Sequence, residues 1–141
     1  MQTINICNQK EADLLPVSPS HNLIIESSEE IILNHLESIE GHLSVRSSVL
    51  APRLKSIKGD LSVKASLSIP SLHEIKGCLS VKSPITAPAL HSVGGYVAVR
   101  AGLSASRLKV IKGYLSVEAE MKAEALELIE GYLGVESAFR A

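Results

Sequence analysis

Tryptophan is absent from the 141 residues, and aromatic residues make up only 3 % of them. A surface that stacks bases or sugar rings therefore has few parts to draw on. Cysteine is nearly as scarce. Cys7 and Cys78 stand alone in the sequence, which makes neither a disulfide framework nor a metal-ligand spacing. Neither sign of charge dominates, since the formal net charge is −1, so nothing pulls the whole chain toward nucleic acid or an anionic membrane. Long apolar runs are missing too. Residues 1–10 do not read as a signal peptide, and no stretch approaches a membrane span, so a cytoplasmic protein is expected. Yet apolar residues reach 45 %, the level of a chain that folds around a core.

What is present is repetition. Gly41, Gly59, Gly77, Gly95, Gly113 and Gly131 recur at one unbroken interval, which sets an 18-residue period. Two residues before each stands Ile39, Ile57, Ile75, Val93, Ile111 or Ile129, and after each follows Leu-x-Val, or Val97-x-Val99 in the fourth copy. Residues 35–141 are thus six copies of one unit, the last one residue short, and such periods define repeat architectures. Residues 1–34 hold a candidate strand at Thr3–Ile6, a loop around Pro16 and Pro19, and a degenerate copy at 23–34 that reads as a cap. Extending the period backwards puts Ile25, Ile31 and Leu33 at interior positions, with Leu23 in the glycine column.

Apolar residues occupy positions two, five, nine, eleven, fifteen and seventeen of the unit. Alternation with period two is the signature of a strand with one buried face. A helix is blocked by the glycine at position seven and by Pro52, Pro70 and Pro88 at position eighteen. The unit is also too short for a strand with a crossover helix. The spacing predicts an all-β, single-domain β-solenoid (a β-helix): six coils of about three short strands each, stacked in register behind an N-terminal cap. Glycine should recur where a corner needs positive φ or has no room for a Cβ.

Stacking turns each position into a column. The eighth carries Tyr96, Tyr114 and Tyr132 in consecutive copies; the twelfth carries Arg46, Lys64, Lys82 and Arg100 before switching to Glu118 and Glu136. Tyr and Arg are enriched in protein interfaces, and stacked like charges are not what stability alone selects. These seven aromatic and basic residues are the candidate partner contacts. By segment, charge runs −4 over residues 1–34, then −1, +3, +1, +1, +1 and −2 over the six copies, so both ends are acidic and the middle is basic.

Residues that could carry chemistry do not assemble. His73 and His91 share a column, but no carboxylate or thiol completes a metal site. Ser44, Ser62, Ser80 and Ser116 form a ladder of small outward side chains without a base and an orienting acid. Ice binding would call for threonine rows, and the repeats contain only Thr86. No catalytic residue, cofactor or metal is expected.

The phrases Leu54-x-x-Ile57-x-Gly59-x-Leu61-x-Val63 and Ala87-Pro88-Ala89-Leu90-His91-Ser92-Val93-Gly94-Gly95-Tyr96-Val97 resemble the small solenoid repeat proteins of bacteriophages and prophages, and more distantly the leucine-rich-like repeats of receptor L domains. Against true leucine-rich repeats, the 18-residue unit is short and no ladder Asn or Cys follows the Val. The phage resemblance implies a cytoplasmic, non-enzymatic protein that binds a host factor as its inhibitor. Two alternatives stand beside it: a nucleic-acid mimic or phosphate-binding solenoid, and a hexapeptide-repeat-like acyltransferase, which lacks here any loop between coils to shape a pocket. The sixth copy would leave Leu126, Ile129, Leu133, Val135 and Phe139 uncovered at the end of the stack, so an end-to-end homodimer through this coil is a further expectation.

Overall fold

The computed structural model describes residues 2–118, 120–131, 133–135 and 139–140, without the side chains of 133, 135, 139 and 140. The expected coil is present, three-sided, with every strand parallel to its neighbours. In the second copy the sides are Ser56–Ile57, Leu61–Val63 and Leu67–Ser68, each paired in register with its counterparts one period away. Repetition builds a six-stranded sheet from the first side, an eight-stranded sheet from the Leu-x-Val side and a seven-stranded sheet from the third. The strands are short because a corner must come every few residues.

The interior follows from the columns. Leu36, Leu54, Leu72, Leu90 and Leu108 lie over one another at 0 % exposure, as do Val45, Val63, Val81, Val99 and Val117. No polar or charged side chain is buried among the described residues. Each such Leu, Ile or Val contributes about 1.5–3 kcal/mol by leaving water. Because each contacts its counterparts above and below, a coil gains this only when its neighbours are in place.

The glycine column proves to be a matter of approach and not of handedness, for no glycine among the described residues has positive φ. Gly59 donates to the Gly41 carbonyl at 3.1 Å, Gly95 to Gly77 at 2.9 Å and Gly113 to Gly95 at 3.0 Å. A Cβ on Gly59 would lie 2.5 Å from the Gly41 oxygen.

At the N-terminal side, each sheet is met by a different segment. Strand Thr3–Ile6 pairs with Asn22–Ile25 on the eight-stranded sheet. On the six-stranded sheet, the Val17 carbonyl accepts from Glu37 at 2.9 Å and the Pro19 carbonyl from Glu40 at 3.1 Å. On the seven-stranded sheet, Gln9 stands in for a strand: its Nε2 donates to the Ile32 carbonyl at 2.7 Å, and its Oε1 accepts from the Ile32 amide at 2.8 Å. Gln9 is presented by the short helix Gln9–Asp13, which Asn8 caps and which buries Ala12. The cap departs from the 18-residue period. Leu23 pairs with Leu43 and Ile25 with Val45, an offset of 20, while Ile31 pairs with Val49 at 18. The two extra residues sit in the acidic corner Glu26–Glu30, so Leu23 joins the Leu43 column instead of the glycine column.

Candidate binding surface

Outward residues of the Leu-x-Val side are set by alternation. With positions nine and eleven inside, positions eight, ten and twelve face out, and eight and twelve stand about 13 Å apart along the strand direction. Between them runs a strip of small, half-buried residues: Ser44, Ser62, Ser80, Ala98 and Ser116.

Parallel, in-register pairing dictates the geometry of the tyrosine column. Neighbouring strands lie about 4.8 Å apart, and the Tyr96 and Tyr114 rings stack with centroids 4.9 Å apart and planes 9° from parallel. Stacking of this kind adds about 0.5–1.5 kcal/mol beyond burial. Negative charge at Cys78, then partial burial, then Tyr114 and Asp60, push the Tyr96 phenol above its ordinary value. Tyr132 lies outside the described residues.

Toward the N-terminal side, this same column does structural work that the repeat pattern did not disclose. The amide of each eighth position needs an acceptor. Asn22 Oδ1 accepts from the His42 amide at 2.8 Å, His42 Nδ1 from the Asp60 amide at 2.8 Å, and Asp60 Oδ1 from the Cys78 amide at 2.7 Å. Acceptor-bearing side chains at Asn22, His42 and Asp60 were the available signal.

On the twelfth column, Arg46, Lys64, Lys82 and Arg100 are all exposed. They are not equivalent. Arg46 reaches Glu26 at 3.5 Å and Arg100 reaches Glu118 at 3.4 Å. Lys64 and Lys82 form no ion pair among the described residues. Their amides donate to the Val45 and Val63 carbonyls at 2.8 Å, which holds the two backbones one strand spacing apart. The expected row of four bases thus holds two paired arginines and, between them, two lysines without an ion pair among the described residues.

The remaining expectations fall elsewhere. Leu126 and Ile129 are half-buried and pack against the core, while the side chains of Leu133, Val135 and Phe139 lie outside those described. His73 Nδ1 sits 3.4 Å from the Ala89 carbonyl, and no group of three or more metal-ligating residues occurs among the described residues. Cys7 and Cys78 are both free thiols. A trough of about 530 Å³ on the seven-stranded sheet has Ser68, Thr86 and Ser104 along it, over Leu67, Ile85 and Leu103. No helix among the described residues is long and apolar enough to cross a membrane.

Stacked parallel coils with an apolar interior and side-chain ladders on three faces define the chain as a β-solenoid repeat protein. No family model, curated protein or solved structure matches it.

Proposed function

We propose that this solenoid is a non-enzymatic binding module whose eight-stranded face takes an acidic surface of a protein partner. The observation that carries the reading is the placement, on one sheet face, of the stacked Tyr96–Tyr114 pair and of Lys64 and Lys82, which form no ion pair among the described residues. Fold stability gains nothing from leaving two adjacent lysines unanswered while both neighbours in the column are paired. A partner's carboxylates would answer them, and the rigid phenol rings would supply contact area at low entropic cost. The resemblance to phage solenoid proteins extends the reading to inhibition of a host factor.

Affinity capture from a bacterial lysate with a tagged chain, quantified by mass spectrometry, tests it. Lys64→Glu with Lys82→Glu should lose the proteins that the wild type retains, by about tenfold or more, because two charge-assisted contacts become repulsive. The exposed pair Lys76→Glu with Lys112→Glu, on a different face, should retain them. An identical captured set for the wild type and the first variant contradicts the proposal.

A further inference from the structure

The six-stranded sheet has outward columns of its own. The third position reads Glu37, Lys55, His73, His91, Lys109, Glu127, and the sixth reads Glu40, Lys58, Lys76, Gly94, Lys112, Glu130. Near the N-terminal side acids answer the bases: Lys55 reaches Glu37 at 3.9 Å and Lys58 reaches Glu40 at 3.7 Å. Lys76 and Lys112 form no ion pair among the described residues, and the sixth column is interrupted between them by Gly94. Their backbones are two strand spacings apart, roughly 10 Å. The missing side chain leaves a cavity of about 330 Å³ lined by Lys76, Lys112, Ser92, Gly94 and Glu74, with Ile75 and Val93. Backbone approach keeps this gap open. A Cβ on Gly94 would run into the Lys76 carbonyl oxygen and lie 3.0 Å from its carbonyl carbon. Beside it, sharing Glu74 and Ser92, a second cavity of about 360 Å³ is lined by His73, His91, Ala89 and Arg107. Arg107 likewise forms no ion pair among the described residues.

We propose that the Gly94 notch binds a diphosphate group, free or carried on a small organic moiety that extends into the second cavity. Lys76 and Lys112 line the notch from the coils on either side of Gly94, and a diphosphate has oxygens at both ends to meet two ammonium groups with charge-assisted hydrogen bonds of about 2.8 Å. Ser92 lines both cavities and carries a hydroxyl as a further donor, and Arg107 in the second cavity has a planar guanidinium fork for whatever continues from the group. Glu74 is the single acid lining either cavity, and it opposes any anion there.

Calorimetric titration with inorganic pyrophosphate and with a nucleoside diphosphate tests the assignment, each variant being checked for an unchanged far-UV spectrum. Lys76→Gln with Lys112→Gln should weaken pyrophosphate binding about tenfold or more, since two contacts to a charged group are lost. Glu74→Gln should tighten it about threefold by removing a like charge at the surface. Lys55→Gln with Lys58→Gln, whose side chains already pair with Glu37 and Glu40, should change nothing. Equal affinity for the two ligands assigns the diphosphate alone; tighter nucleotide binding that Arg107→Gln removes assigns the second cavity as well. No binding at millimolar pyrophosphate, or equal weakening in both lysine double variants, overturns the proposal.

Discussion

Val81→Asp is expected to leave the chain unfolded. Val81 is 0 % exposed and lies in register between Val63 and Val99. The substitution removes about 1.5–3 kcal/mol of apolar burial. It also puts a carboxylate where no other polar side chain is buried among the described residues, at a further cost of several kcal/mol. The total rivals the whole stability of an ordinary domain, about 5–15 kcal/mol. Neighbouring coils cannot close over the defect, because each draws its own burial from contact with Val81. Circular dichroism should show the strand signal lost at 25 °C. Lys55→Ala, by contrast, breaks only the exposed 3.9 Å pair with Glu37, and should shift stability by less than about 1 kcal/mol. Equal effects from the two would mean that the inside and outside of the coil are misassigned.

Alanine at two glycines should act with opposite signs. In Gly113→Ala the new Cβ would sit 2.7 Å from the Gly95 carbonyl carbon and 2.7 Å from the Tyr96 nitrogen. Both are backbone atoms, and neither can turn aside. Overpacking of this kind costs about 1–3 kcal/mol, against a gain of about 0.4–1 kcal/mol from a stiffer unfolded chain. Net destabilisation of about 1–2 kcal/mol is expected, with the 3.0 Å bond from Gly113 to the Gly95 carbonyl stretched or lost. In Gly102→Ala the nearest atom to the new Cβ is Pro84 Cβ at 4.0 Å, an ordinary contact, so only the unfolded-state gain remains. Thermal unfolding should show Gly113→Ala lowered by several degrees and Gly102→Ala level or slightly raised.

Much of this was legible because a strict 18-residue period makes the sequence a table of columns. Once Leu61-x-Val63 reads as a strand with one buried face, every residue in those columns is placed, and the Tyr96–Tyr114 stack and the Lys64–Lys82 pair follow from register alone. Legibility ended where the period did. The two additional residues in the Glu26–Glu30 corner move Leu23 from the glycine column into the Leu43 column and bring Glu26 to the side chain of Arg46, outside the repeat spacing. Gln9 closes the edge at Ile32 through a contact between a non-repeating helix and a repeating sheet, which no column contains. The glycine column illustrates a different gap. Its position was plain, but positive φ and close approach leave the same mark on a sequence, and only the 2.5 Å separation at Gly59 with no positive φ tells them apart. Gly94 breaks the lysine column at position six, and its meaning depends on which carbonyl lies beneath it.

The tyrosine stack, the lysine pair and the Gly94 notch all depend on the coils lying in register through their glycine corners. Native-state amide hydrogen exchange tests that stacking most directly. The amides of Gly59, Gly77, Gly95 and Gly113 each donate to the glycine one coil before, at 2.9–3.2 Å, whereas those of Ala65, Ser66 and Ser83 at another corner donate no hydrogen bond among the described residues. The four glycine amides should exchange only with global unfolding, and the other three orders of magnitude faster. Glycine amides that exchange as fast as Ser66 would contradict the stacked corner and the surfaces built on it.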